Sequence, residues 1–374
     1  MATMKNLLRR ILLDTLGKRR ENGMWRISVN RVASEELRHL VLLALDGKLG
    51  DAILQSSVVR AIKNAYSECR ITIVTATNLQ GYWRECPGVS DVFTVSSRSD
   101  ASTFRRLLKL RRLRNIAALN PIDILISFDP IPMIDYFAFI RWVRPRTAIG
   151  LSAIQYSIFQ ISISDPILEV PKDHVGIRFV RTLAALGIDA QIGDLRSIVP
   201  QSVSLRSRSA AADTNLEITN FFINGYGASP TRTFSISQLT DIVRMLIARI
   251  ASITITINVN DSQSCSPEVR NVYEEFPGKL ILSQPTSDIS ELFNKIARAD
   301  AVLTPDTAVA HIAAATRTPL AIVYDDRDFN PICWRPLSED VVTLIPTTPG
   351  PISRFSAAEL VNALARSHAL QRDV

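Results

Sequence analysis

Four stretches of this chain gather the residue types that handle phosphates, sugar hydroxyls and proton transfer. In Thr304-Pro-Asp-Thr-Ala-Val-Ala-His-Ile-Ala-Ala-Ala315, a short apolar run, Ala301-Val302-Leu303, feeds a Thr/Asp turn and then an Ala-rich stretch of good helix formers. A strand that turns into a helix in this way offers free backbone N–H groups and the positive end of a helix dipole, which together make an anion site. Small side chains, Thr307 and Ala308 at the turn itself, let a phosphate approach the backbone. Asp306 is then either an ordinary helix cap or a carboxylate placed to hydrogen-bond hydroxyls beside that phosphate.

The second stretch is Asp46-Gly-Lys-Leu-Gly-Asp51, directly after an apolar run. Gly47 and Gly50 permit a tight turn and close approach of a ligand, and Lys48 offers a charge to a phosphate. Asp51 falls at a helix start, where it is a general base or merely a cap. The third is Asn224-Gly-Tyr-Gly-Ala-Ser-Pro-Thr-Arg-Thr-Phe-Ser235, a loop with two glycines, several hydroxyls and Arg232. Such a loop binds a pyrophosphate through backbone N–H groups and a guanidinium, or simply connects two elements. The fourth is a helical run in which Arg105, Arg106, Lys109, Arg111, Arg112 and Arg114 interleave with Leu107, Leu108, Leu110 and Leu113. A charge run usually marks a solvated face, but so many cations without an intervening acid call for an anion nearby.

The elements that must position these residues alternate. Leu40–Leu45, Ile71–Thr75, Val92–Val95 and Asp123–Ser127 read as strands, with helices at Asp51–Ala65, Ser102–Ile116, Ile134–Val143 and His174–Leu186. After a polar, small-residue stretch at 200–215 the alternation restarts. Strands are expected at Asn220–Asn224, Ile253–Ile257, Lys279–Leu282, Ala301–Leu303 and Leu320–Tyr324. Helices are expected at Ile236–Arg249, Glu268–Glu275, Ile289–Ala299, Ala308–Ala315 and Ala357–Arg366. This is an α/β pattern in two halves, with ligands expected in a cleft at strand carboxyl ends. The expected organisation is a basic N-terminal extension over 1–35, one Rossmann-like α/β domain over 36–205, a second over 216–350, and a helix and tail over 351–374.

Composition bounds the function. The 374 residues carry a formal charge of +7 that is concentrated locally: residues 1–38 hold nine Lys/Arg against four acids, and residues 98–114 hold seven against one. Two patches of this kind point to anionic partners, and no nucleic-acid module accompanies them. Residues 4–20 read as a basic amphipathic helix that lies on anionic lipid or packs on the protein body. The four cysteines and four histidines are scattered without metal-site spacing, so no metal site is expected and a reducing cytoplasm fits. No apolar run is long enough for a membrane span.

The first three of these stretches, taken in their order along the chain, resemble the glycosyltransferase family 9 heptosyltransferases, across roughly residues 40–345. Leu49-Gly50-Asp51 matches the family's Gly-Asp turn. Thr231-Arg232-Thr233-Phe234-Ser235 matches its basic, aromatic loop, and Asp306-Thr307-Ala308 followed by His311 matches its Asp-Thr-Gly…His helix. The resemblance implies a GT-B fold, two Rossmann-like domains facing a central cleft, and an inverting, metal-independent transfer with no cofactor beyond the nucleotide-sugar donor, ADP-heptose. It implies Asp51 as the base, and Lys48, Gly50, Arg232, Asp306, Thr307, Ala308 and His311 at the donor. Arg105, Arg106, Lys109, Arg111 and Arg112 would meet an anionic lipopolysaccharide-core acceptor, in a cytoplasmic enzyme that touches the inner membrane peripherally. A nucleotide-sugar epimerase or hydrolase, or a non-catalytic nucleotide-sugar-binding scaffold at the membrane, are the alternatives. The chain departs from the family at Ala308, where Gly is usual, at Thr233 and Ser235, and at Asp325-Asp326, which stand for Gly-Pro and add negative charge near the nucleotide site.

Overall fold

Among the described residues twelve strands form two six-stranded sheets, and every ladder in both is parallel. The computed structural model describes residues 37–96, 103–119, 121–129, 134–151, 158–163, 173–205, 219–250, 252–264, 266–284, 286, 288–338 and 340–369. The expected N-terminal amphipathic helix and most of the polar stretch at 200–215 lie outside them. The first sheet comprises β1 (His39–Ala44), β2 (Arg70–Ala76), β3 (Asp91–Val95), β4 (Ile124–Ser127), β5 (Thr147–Leu151) and β6 (Ile161–Ile163), in the order β3-β2-β1-β4-β5-β6. The second comprises β7 (Thr219–Asn224), β8 (Ile253–Asn258), β9 (Leu280–Ser283), β10 (Ala301–Pro305), β11 (Leu320–Val323) and β12 (Val341–Leu344), in the order β12-β11-β10-β7-β8-β9.

Each half is therefore the doubly wound Rossmann order, with the switch of direction at β1/β4 in one and β7/β10 in the other. The central strands are apolar because helices cover both sheet faces: all residues of β1, β10 and β11 are buried. The chain divides into two compact units between Ile198 and Val199. Ile198 is tied to the first unit at both of its peptide groups, its N–H donating to Ser56 Oγ (2.7 Å) and its carbonyl accepting from Tyr82 Oη (3.0 Å). The last helix, Ala357–Ala369, contributes Leu360, Val361, Ala363 and Leu364 to the same core as β10 and β11, so it is part of the second unit rather than an appendage.

One helix corrects the reading of the basic run. In Thr103–Leu119, Arg106 is buried and its Nη2 lies 2.6 Å from a carboxylate oxygen of Asp135, itself buried on the Ile134–Val143 helix. Arg106 is thus withdrawn from the expected acceptor set: it is an internal ion pair between two packed helices. Breaking a buried pair from one side leaves an uncompensated charge. Asp135→Ala is expected to lower stability by about 3–5 kcal/mol, read as a shift in the urea midpoint. A change within about 0.5 kcal/mol, the range of ordinary surface substitutions, would show that the pair is not holding the helices.

Candidate active site

In the first unit, β1 runs into Asp46-Gly47-Lys48 and then the Leu49–Ala65 helix. Gly47 has φ +79°, a left-handed conformation that favours glycine, and its carbonyl accepts from Asn78 Nδ2 at 2.8 Å. Lys48 is the residue that precedes the helix, and no side chain caps it. Asp51 therefore does not serve as a cap. It sits in the first turn, half-buried, with Asp46 as its neighbour. Burial, then the hydrogen bond and negative charge of Asp46, push its carboxyl up to about 8, against the opposing charges of Lys48 and Arg178. A carboxyl so placed is largely protonated at neutral pH and, once ionised, is a stronger proton acceptor than an ordinary carboxylate.

In the second unit, β10 ends at Pro305 and Thr307 caps the Ala308–Thr316 helix, its Oγ1 accepting from Val309 N at 3.3 Å. With Thr307 as the cap, Asp306 is released for another role. It is buried, and Arg232 Nη1 lies 3.0 Å from its carboxylate. Arg232 ends a single turn, Pro230–Arg232, on the loop that follows β7. The loop doubles back tightly: a Cβ on Gly227 would stand 2.7 Å from Arg232 Cβ and from its carbonyl oxygen. Arg232 Nε also donates to Asp325 Oδ1 (3.1 Å), and the other oxygen of Asp325 accepts from Thr231 Oγ1 (2.7 Å). The guanidinium is thus clamped by two carboxylates. Burial outweighs the attraction of Arg232 and, with Asp325 and Asp326, pushes the Asp306 carboxyl up to about 6.

Beneath this cluster lies a buried amide and hydroxyl network. Asn224 Nδ2 donates to Tyr226 O (2.8 Å) and faces Thr304 Oγ1 (3.2 Å) and Thr307 Oγ1 (3.3 Å), while Asn258 Nδ2 donates to Asn224 Oδ1 (3.0 Å). The cluster stands at the carboxyl ends of β7 and β10, the switch point of the second sheet, where ligands of open α/β sheets bind. A fixed guanidinium, a helix N-terminus and a carboxylate that can accept from hydroxyls, all in one place, suit a sugar attached to a diphosphate.

Residues 203–355 match the model of glycosyltransferase family 9 (heptosyltransferase). The match falls within the second unit, and with the relatives that follow it marks the chain as a glycosyltransferase similar to that family. Over 294 residues it is 19% identical to lipopolysaccharide heptosyltransferase 3 of Escherichia coli, across 78% of this chain and 85% of that protein. Its fold is that of the Escherichia coli ADP-heptose lipopolysaccharide heptosyltransferase II (TM-score 0.66, 14% identity, 90% of this chain and 100% of that one). A family 9 glycosyltransferase from Veillonella parvula is also similar (TM-score 0.70, 14% identity, 90% and 99%).

In this glycosyltransferase the expected donor residues fall into two groups. Arg232, Asp306, Thr307 and Ala308 come together, with His311 buried in the next turn of the same helix. Lys48, exposed, and Gly50 stand with Asp51 at the helix start of the first unit. Asp325 and Asp326 do not simply add negative charge: Asp325 balances Arg232, and Asp326 Oδ1 accepts from the N–H groups of Phe329 (3.2 Å) and Asn330 (3.0 Å), fixing the following turn. Sequence reasoning missed Asn224, Asn258 and the bridging role of Asp325. The available signal was an Asn closing each of two adjacent apolar strands, in register as Asn224 and Asn258. Among the described residues no three His, Cys, Asp or Glu side chains group as metal ligands. No helix among them is long and apolar enough to cross a membrane.

Proposed function

We propose that this glycosyltransferase moves heptose from ADP-heptose to a lipopolysaccharide core or a related anionic surface glycan, in one displacement that inverts the anomeric centre. The observation that supports this most is the Arg232–Asp306 pair at the mouth of the Thr307-capped helix. Asp51 takes the proton of the acceptor hydroxyl as its oxygen bonds to the anomeric carbon. The bond from that carbon to the diphosphate breaks, and ADP leaves with the electron pair. Arg232 and the N–H groups at the helix start meet the charge that develops on ADP. Asp306 holds sugar hydroxyls. In this reading the neutralising charge comes from the protein rather than from a bound cation. The exposed cations Arg105, Lys109, Arg111 and Arg112 face the anionic acceptor.

The test is ADP release from ADP-heptose with a heptose-deficient core acceptor, followed by the anomeric configuration of the product by NMR. No release across a panel of core acceptors would sink the reading, and release without acceptor would replace transfer by hydrolysis. The pH dependence carries a sign. The base must be ionised and its carboxyl is held up at about 8, so the rate is expected to climb toward alkaline pH, with an acid limb near pH 8. An acid limb at the ordinary carboxylate value of about 4 would mean that Asp51 is not the titrating group.

A further inference from the structure

The Thr103–Leu119 helix carries an ion-paired cation on its inward line and apolar side chains on its outward line. Its inward line carries Arg106, Leu110 and Leu113 at i, i+4 and i+7, with Arg106 and Leu110 buried. Its outward line carries Phe104, 68% exposed, and Leu108, 44% exposed, one turn apart. Arg111 follows on the same line, and Arg105, Lys109 and Arg112 flank it, all exposed. No acid occurs between 103 and 119. A helix that faced only water would put its cations where Phe104 and Leu108 are and its apolar residues where Arg106 is.

We infer that this face rests on the surface of an anionic lipid bilayer. Phe104 and Leu108 enter the boundary between headgroups and acyl chains, and Lys109, Arg111 and Arg112, which face the anionic acceptor, meet it among the other anionic headgroups of that surface. Charge complementarity selects this occupant. The N-terminal residues 1–38 hold nine Lys/Arg against four acids, so they share the sign of the helix. A second copy of a chain with net charge +7 shares it too. The inference deepens the proposed function, in that a glycolipid acceptor is presented from such a surface, but the docking can be tested without transfer.

The full chain is floated with vesicles of phosphatidylcholine alone or with phosphatidylglycerol added, beside the variant Phe104→Ser/Leu108→Ser. Contacts made elsewhere on the chain contribute to both proteins alike, so the ratio of partition coefficients isolates this face. Binding only to the phosphatidylglycerol vesicles, weakened on the order of tenfold in the variant, is the expected result. A triple variant, Lys109→Gln/Arg111→Gln/Arg112→Gln, should weaken flotation further, and raised salt should mimic it. Equal partition of the native chain and Phe104→Ser/Leu108→Ser, or equal binding to both vesicle types, overturns the inference. So does native self-association that the variant abolishes, which would make the occupant a second copy. The variant should glycosylate a deacylated, water-soluble acceptor as fast as the native chain does. A loss there would make the face a glycan contact and leave glycosyl transfer standing. Flotation as expected with no transfer by the native chain would overturn the proposed function and leave the docking face standing.

Discussion

Asp51→Asn is expected to slow glycosyl transfer by about a thousandfold, within the range spanned by general-base groups, while leaving the affinity for ADP unchanged. The substitution preserves shape and removes only the capacity to accept a proton. Asp51 does not cap its helix, so no backbone bond is lost with it. Asp46 stands beside Asp51 and could accept the proton less well, so Asp46→Asn/Asp51→Asn should be slower than the single variant. Single-turnover kinetics and calorimetric titration with ADP measure the two quantities; undiminished turnover would remove Asp51 as the base. The same variant carries a stability signature. The unfolded Asp51 carboxyl ionises near 3.8 and the folded one near 8, so the folded chain holds more protons between those values. Stability conferred by the native protein must therefore fall as pH rises through that window, and Asp51→Asn should lose this slope.

Arg232→Met should reduce transfer by about a hundredfold to a thousandfold, as the loss of one fixed transition-state donor does, and should weaken ADP binding as well. The guanidinium serves Asp306 through Nη1 and Asp325 through Nε, and among the described residues Nη2 is left for a ligand. Methionine keeps an unbranched stem but removes the guanidinium, leaving two neighbouring carboxylates facing each other and the incoming diphosphate. Arg232→Lys should recover little, because one ammonium cannot reproduce a planar fork that meets two carboxylates and a phosphate at once. Steady-state kinetics of the three proteins decide the matter. Full activity in Arg232→Lys would show that charge alone suffices, and wild-type rates in Arg232→Met would remove the residue from the reaction.

The sheets were legible where strands are buried on both faces. β1, β10 and β11 are unbroken apolar runs because helices cover them on either side. β5, β6 and β12 were not read: β5 is interrupted by Gly150, β6 has three residues, and β12 is partly exposed with a mixed pattern. At the site, the types of Asp306 and Thr307 both suit a helix cap, and only the observed bond to Val309 N assigns the cap to Thr307 and frees Asp306. Arg106 is indistinguishable by type from its neighbours. Its spacing to Leu110 and Leu113 places it on the inward line, but that line becomes meaningful only once Asp135 on another helix is found across from it. Contacts of this kind, distant in sequence, are what composition and periodicity leave out.

The strand order has a consequence for how the chain is made. β1 and β7, the first strands of their units, end up in the middle of their sheets, and β1 pairs with β4 across more than eighty intervening positions, as in Leu40 with Ile124. Every ladder is a parallel crossover, so sheet assembly waits on long loop closures and is slow for the size of each unit. Yet all six strands of the first sheet precede all six of the second in the chain. A nascent polypeptide can therefore complete one sheet before the other has begun to emerge, and the long closures never compete across the two units.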